Sequence, residues 1–177
     1  MALEHVAHLS REQLLRLLED AYRNLMRVDG YYFMEIEKLV GPEAAVRCDE
    51  AVWHRFGRVE AYQLRQYFNL QGDGIAPLVQ ALRSSLVLPL ACQYQVEQVS
   101  PQEAKLQVTH CLAQVNRLNA GLGIFQCQGV EEAYFGSFAA TINPQIRVKC
   151  ISCPPGNYSP QLWCQWQFQL EEAPRQP

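Results

Sequence analysis

Apolar residues recur every three to four positions in the first half of the chain, which is the pattern of amphipathic helices. The first stripe follows Ser10, which forms a capping box with Gln13 and marks the beginning of a helix. Asp29-Gly30 interrupts this stripe, because glycine weakens a helix interior and aspartate is a good N-cap. We therefore predict two helices before Gly41, the second of them capped by Asp29.

Two further helices are predicted before the middle of the chain. Pro42 occupies a first helical position, where its missing N–H is harmless, and the apolar stripe after it indicates a helix over 42–69. We expect Gly57 to bend this helix. After a glycine-rich loop, Asp73 is expected to cap a fourth helix over 75–85.

The second half of the chain changes to the period-two alternation that is typical of strands. The alternation changes phase inside the second strand, so a bulge is expected near Thr109 and His110. A glycine-containing loop then leads to Cys127, and an amphipathic helix follows it. In chain order the predicted elements are strands at 91–99 and 104–115, a helix at 129–142, and strands at 146–152 and 162–170.

This order of elements predicts the fold class. Helices come first and strands in adjacent pairs come later, which favours an α+β fold with an antiparallel sheet. We expect N-terminal helices packed on a sheet of about four strands. One compact domain would contain a helical part at 1–85 and an α+β part at 86–171, with a disordered tail at 172–177.

Composition argues against two classes of partner. The 177 residues carry a net charge of −3 and an isoelectric point of about 5.8, so no basic surface for nucleic acid is indicated. No apolar run reaches the roughly 18 residues that a membrane span needs. The N-terminus lacks the basic start and apolar middle of a secretory signal, and we expect a cytoplasmic protein.

Five of the seven cysteines lie in the last 70 residues, and disulfides are not expected in the cytoplasm. A CxxC turn supplies two soft ligands, and a paired strand and a preceding loop supply two more, as an all-thiolate zinc site or an iron–sulfur cluster requires. Inert buried thiols are the main alternative, and a thioredoxin-like redox pair is another. The four cysteines form the pattern Cys127-x22-Cys150-x2-Cys153-x10-Cys164.

Three stretches, GVEEAYFGSFAATI, RVKCISC and LWCQWQFQL, carry a resemblance to a known family. They resemble the C-terminal half of the 4-vinyl reductase domain. There, a helix with an aromatic-Gly-aromatic core precedes a strand with an acidic residue or cysteine and a second cysteine. The last strand of that domain begins with a cysteine and aromatic residues. Aromatic-sensing bacterial transcription activators carry it as their sensor module, so the resemblance implies a domain that binds a small molecule.

In that domain, positions occupied by Cys, Glu, Cys and Cys bind a structural zinc beside the ligand pocket. The resemblance assigns the cysteine positions to Cys127, Cys153 and Cys164, and Cys150 occupies the glutamate position here. The set is then all-thiolate, which suits zinc and also admits an iron–sulfur cluster. The whole chain looks closest to an uncharacterised prokaryotic family related to this domain. It is similar, more distantly, to 2-aminothiazoline-4-carboxylate hydrolase-like proteins.

Other candidate residues lie outside the cysteine pattern. His110-Cys111 is a weak candidate for a catalytic base and nucleophile, because adjacent strand residues point to opposite faces unless a bulge intervenes. Cys48 and Cys92 stand alone and are expected to be small core residues. If the domain keeps a cavity for an aromatic or hydrophobic ligand, aromatic side chains are its expected walls. The expected pocket residues are Tyr31, Tyr32, Trp53, Tyr134 and Phe138.

Three functions remain open on the sequence. The leading one is a small-molecule-binding or sensor-like domain with a structural four-cysteine zinc site, which is not an enzyme. The first alternative is a small hydrolase of the 2-aminothiazoline-4-carboxylate hydrolase-like type, and the second is an iron–sulfur protein. A homodimer is also expected, because association would bury aromatic side chains that the fold leaves exposed.

Overall fold

The computed structural model describes residues 3–171, and the tail predicted to be disordered at 172–177 lies outside that part of the chain. A short 3-10 turn at Glu4–Val6 precedes the first helix. The helices are α1 (Arg11–Val40), α2 (Pro42–Tyr67), α3 (Ala76–Ser84), α4 (Leu88–Ala91), α5 (Leu112–Asn119) and α6 (Gln128–Ile142). The strands are β1 (Cys92–Gln98), β2 (Glu103–Cys111), β3 (Ile146–Ser152) and β4 (Cys164–Leu170).

The strands form one antiparallel sheet in the order β1-β2-β4-β3, and this confirms the predicted α+β fold. Alternate residues of β2 and β4, such as Leu106, Trp166 and Phe168, are fully buried on one face. Helices α3 and α6 pack on the sheet, and α2 packs on α6. Phe135 of α6 contacts Trp166 and Phe168, with ring centroids 5.3 Å and 5.8 Å apart. One hydrophobic core therefore joins the helical half to the sheet.

Helix α1 is a single helix of 30 residues, so the two helices predicted for this segment are wrong. Its beginning is confirmed, because Ser10 and Gln13 form the expected capping box. Glycine in a helix interior costs only about 1 kcal/mol relative to alanine, and packing of α1 along α2 offsets that cost at Gly30. Asp29 does not cap a helix; its side chain lines a pocket instead.

Helix α1 exposes many large apolar side chains. None of its residues is fully buried, because the helix lies on the outside of α2. No helix within residues 3–171 is long and apolar enough to cross a membrane. The exposed large apolar side chains of α1 are Leu14, Leu15, Leu17, Leu18, Leu25, Val28, Tyr31, Tyr32, Leu39 and Val40.

The bulge expected in the second strand is confirmed. Gln93 pairs with His110 and Tyr94 pairs with Val108, so Thr109 is the extra residue of β2. A bulge bends its strand and increases the local twist, and it redirects the residues that follow.

The strand predicted to continue to residue 115 ends at Cys111, and the chain turns into α5. The Gln114 amide donates to the Phe125 carbonyl at 2.8 Å, and its oxygen accepts from the Phe125 N–H at 2.9 Å. These two bonds tie the segment to the following loop and replace the ladder that a strand would have needed. The strand predicted to continue to residue 115 is wrong because Gln114 has its hydrogen-bond partner, Phe125, outside the sheet. The alternation of apolar and polar residues carries no information about such a partner.

Helices α2 and α6 approach each other at a glycine on each side. A Cβ atom on Gly57 would lie 2.5 Å from Ser137 Oγ and 2.6 Å from the Tyr134 carbonyl oxygen. Gly129 of α6 is similarly close to the Glu50 carboxyl of α2. Gly57 therefore provides space for the opposing backbone.

Gly57→Ala is expected to lower the free energy of unfolding by about 1–3 kcal/mol, because the new methyl group overpacks the interface between α2 and α6. Gly30→Ala is the matched control, since a Cβ there would meet no atom within 4 Å. It should raise stability by up to about 1 kcal/mol through helix propensity. Urea titration of both variants checks the pair, and equal stability of the two would contradict the close approach.

Candidate ligand pocket and sulfur cluster

A cleft of about 530 Å³ lies between α1 and α5. It adjoins an inner chamber of about 120 Å³, bounded by α1, α2, α6 and the ends of β1, β2 and β4. A dry cavity of about 150 Å³ can hold a benzene ring, so the chamber is of the size of a small ligand group. The residues that line both spaces are Met26, Asp29, Asp49, Ala91, Ala113 and Phe125.

Arg117 attaches the α5 wall of the cleft to α1. Its guanidinium donates to both carboxylate oxygens of Glu37 at 2.9 Å and 3.0 Å, which is a bidentate ion pair. The same group lies 5.7 Å from the ring centroid of Phe33 and 5.8 Å from that of Phe125. The hydrogen bond from Arg117 lowers the pKa of Glu37. The wall is therefore fixed by charge and by two aromatic contacts.

Three carboxyl groups face the inner chamber: Asp29, Asp49 and Glu131. Burial raises the pKa of Asp49 to about 7, and repulsion from Asp29 adds to it, while a bond from the Trp53 indole acts the other way. Burial also raises the pKa of Asp29 and brings that of Glu131 to about 7. The sequence predicted Asp29 as a helix cap, and it carries no signal that selects Asp49 or Glu131 for a pocket, because their burial comes from distant segments.

Of the five aromatic residues predicted to line a pocket, three line the cleft or the chamber and two do not. Tyr31 lines the outer cleft, and Trp53 and Tyr134 line the chamber. Tyr32 and Phe138 line neither of these two spaces, and their role in ligand binding stays a prediction. Tyr32 is 69% exposed on the outer side of α1, and Phe138 is fully buried with its ring centroid 5.8 Å from that of Tyr134.

A buried hydrogen-bond network holds Tyr134 at the chamber. Its hydroxyl donates to Glu60 at 2.6 Å, and the Ser85 hydroxyl donates to the same carboxyl at 2.8 Å. The Tyr134 ring meets Trp53 edge to face, with centroids 5.6 Å apart. These contacts from α2 and the end of α3 restrict the rotamer of Tyr134 and make this wall rigid.

The cysteines of the predicted metal site meet at the end of the sheet next to the chamber. The sulfur atoms of Cys127 and Cys153 are 3.7 Å apart. Cys153 also interacts with Cys164 and Cys150, and its hydrogen bonds with Cys127 and Cys164 together with burial raise its pKa. Burial raises the pKa of Cys150, which is the more exposed of the four, to about 11. Cys153 is thus the centre of the sulfur cluster, which we define as Cys127, Cys150, Cys153 and Cys164.

The four cysteine sulfurs are suitable ligands for zinc, but they do not form a complete tetrahedral site. Two thiolates bound to one tetrahedral zinc at 2.3 Å lie about 3.8 Å apart, and the pair Cys127–Cys153 has this separation. In residues 3–171, however, no group of three or more His, Cys, Asp or Glu side chains is arranged to hold a metal ion as it stands. Cys150 and Cys164 would therefore have to move closer to complete a tetrahedral site.

Gln114 connects the sulfur cluster to the cleft. Besides its two bonds to Phe125, its Nε2 group donates to the Cys127 sulfur at 3.3 Å. The side chain is only 1% exposed. N–H donors of this kind stabilise a thiolate and orient a ligand in the second layer around a metal. Sequence analysis missed this residue, because it lies in a segment predicted to be a strand.

The remaining cysteines differ from one another. Cys92 and Cys111 are paired across β1 and β2 and line the chamber, and burial raises the pKa of Cys111 to about 12 and that of Cys92 further. Such thiols are protonated at neutral pH. Cys48 is exposed on α2, so its predicted place in the core is wrong. The catalytic role of Cys111 with His110 stays a prediction, and burial opposes it.

No curated protein matches this chain. A family model does match it over residues 7–170, which includes both halves of the fold, the chamber and the sulfur cluster. The chain therefore belongs to DUF6125, a family of unknown function.

Proposed function

We propose that this protein is a small-molecule-binding domain of the sensor type, with a structural zinc site in its sulfur cluster. The observation that carries the proposal is the outer cleft that adjoins a smaller inner chamber. Ligand sites are typically concave, mostly apolar and equipped with a few polar groups that orient the ligand. The cleft and chamber have this composition, with aromatic and aliphatic walls and three carboxyl groups.

The proposal includes zinc because four cysteine thiolates are a typical ligand set for a structural zinc ion. The four residues that would hold it are Cys127, Cys150, Cys153 and Cys164, and the Gln114 amide already donates to one of the sulfurs. Bound zinc would tie the end of β3, the beginning of β4 and the loop before α6 together. Four thiolates leave no open coordination position, so its contribution is stability and not catalysis. The resemblance to the 4-vinyl reductase domain agrees with this assignment.

A neutral fluorescent probe tests the pocket. N-phenyl-1-naphthylamine should bind the purified protein saturably, with enhanced fluorescence, because the cleft offers it an apolar environment. Ala91→Trp should abolish this binding, since Ala91 lines both cleft and chamber. Ala51→Trp, at an exposed position of α2, is the matched control and should bind the probe normally.

A second blocking variant distinguishes a filled pocket from misfolding of the first variant. Ala113→Trp fills the same junction from α5, and circular dichroism verifies that each variant is folded. Probe binding that survives both substitutions in folded protein would reject the pocket as the binding site.

Two other functions and one assembly stay predictions. A hydrolase would need a reactive thiol, and the burial of Cys111 makes its thiol a weak nucleophile. An iron–sulfur cluster would use the same cysteines and would give a coloured preparation. A homodimer would bury the exposed apolar residues of α1, and sedimentation equilibrium would measure it.

A further inference from the structure

The inner chamber is acidic although most of its walls are apolar. Asp29 from α1, Asp49 from α2 and Glu131 from α6 contribute its carboxyl groups. Asp49 is 9% exposed, and Glu131 is partly buried and lines the chamber. Among residues 3–171, none of the three forms an ion pair, and the Glu131 side chain accepts no hydrogen bond.

The arginines near the pocket are engaged elsewhere. Arg23, Arg27 and Arg117 line the outer cleft and not the inner chamber. Arg23 pairs with Glu19 at 2.6 Å, and Arg117 forms the bidentate pair with Glu37. Arg27 donates to the side-chain oxygen of Asn24 at 2.8 Å. No arginine or lysine of the described residues therefore forms an ion pair with the three carboxyl groups of the chamber.

The two aspartates both lie at the junction of cleft and chamber, because each lines both spaces. The Trp53 indole interacts with both carboxyl groups and favours their charged forms. Burial opposes ionisation and raises both pKa values, and repulsion from Asp29 raises that of Asp49 further. A cation placed between them would relieve the repulsion and compensate the lost hydration. Unpaired carboxyl groups in an apolar site lower stability, and such groups are characteristic of binding sites.

We propose that the chamber binds an organic cation, a protonated amine whose charged head lies among Asp29, Asp49 and Glu131 and whose apolar body occupies the outer cleft. This inference rests on the proposed function and names its ligand class. Met26, Phe33 and Phe125 supply the apolar surface for the body. Hydrogen bonds between charged partners are about twice as strong as neutral ones, and the inner chamber strengthens them further. The site should select a cation over neutral or anionic molecules of the same shape.

Three probes of similar size and different charge test this selection: 2-phenylethylamine, 2-phenylethanol and phenylacetate. Calorimetric titration at pH 8 should give an affinity for the amine that is about tenfold or more above that for the alcohol, with phenylacetate weaker still. Asp49→Asn should lower the affinity for the amine about tenfold and leave that for the alcohol within about twofold. Asp29→Asn should act in the same direction.

The matched control is Glu43→Gln, which removes the same charge from an exposed position of the same helix. It should change neither affinity, because screening weakens distant surface charges. An Ala91→Trp protein should bind none of the three probes.

The outcomes separate this inference from the proposed function. Binding of the alcohol or the acid as tight as that of the amine, lost in Ala91→Trp, would overturn the cationic ligand and keep the pocket. Binding of no probe, together with unchanged N-phenyl-1-naphthylamine binding in Ala91→Trp, would overturn both. Competition by calcium chloride against the amine would assign the carboxyl groups to a metal ion and overturn the organic cation.

Discussion

If the sulfur cluster binds zinc as proposed, replacing Cys153 with serine is expected to abolish zinc binding and to lower the melting temperature by about 10 °C. Cys153 is the centre of the sulfur cluster: its sulfur lies 3.7 Å from that of Cys127, and it interacts with the other two thiols. Binding of a structural zinc is coupled to folding, so its loss appears as lost stability. A loss of roughly 3–4 kcal/mol corresponds to this shift in a chain of this size.

Two controls distinguish zinc loss from the loss of a buried thiol. Cys48→Ser changes an exposed cysteine and should keep about one zinc per chain together with the wild-type melting temperature. A strong chelator should lower the melting temperature of the wild type to that of Cys153→Ser and should leave the variant unchanged. Elemental analysis of protein purified without added metal gives the content directly. Wild-type protein that contains no metal and keeps its full stability would contradict the zinc assignment. Detection of iron and sulfide would show that the cysteines hold an iron–sulfur cluster instead of zinc.

Asp49→Asn is expected to stabilise the protein at pH 8 and to have no such effect at pH 4. The pKa of Asp49 is about 7 in the folded protein, against 3.8 for the free side chain. Because folding raises the pKa, the folded state binds more protons between these values, and stability falls as the pH rises from 3.8 to 7. The full penalty above pH 7 is about 2–4 kcal/mol. Asparagine removes the charge, and its amide oxygen can still accept from Trp53.

The groups that face Asp49 come from three helices, and they affect the size of the shift. Asp29 of α1, Glu131 of α6 and Glu50 of α2 all raise its pKa, and the arginines of the outer cleft are engaged with other partners. Thermal melts of the wild type and of Asp49→Asn between pH 4 and pH 8 measure the difference. Asp20→Asn removes a charge from an exposed position of α1 and should give no pH-dependent gain. A pH-independent effect of Asp49→Asn would mean that the carboxyl group is already neutral or well solvated at pH 8.

Sequence reasoning succeeded where the signal is local. The capping box of Ser10 and Gln13, the proline that begins α2 and the bulge at Thr109 each depend on neighbouring residues, and the structure contains all three. It failed where a distant partner decides. Asp29 and Gly30 form a good helix break by themselves, but packing on α2 keeps the helix continuous.

The candidate site shows the same difference between features with a sequence signal and features that arise only from tertiary packing. The spacing of the cysteines predicted that distant sulfurs would come together, and Cys127 and Cys153 do, because soft ligands leave a pattern in the sequence. The acidic chamber left no such pattern. Asp49 and Glu131 are ordinary residues on amphipathic helices until α1, α2 and α6 enclose them, and this arrangement is a property of the tertiary packing.

The Gln114 side chain would couple the proposed ligand pocket to the proposed zinc site. One amide holds Phe125 on the wall of the cleft and the Cys127 sulfur in the cluster, two residues apart on the same loop. If a ligand that presses on Phe125 changes the affinity of the cysteines for zinc by some factor, thermodynamic linkage requires zinc to change the affinity for the ligand by the same factor. Occupancy of either site can then be read from the other, which is what a sensor needs to report a small molecule.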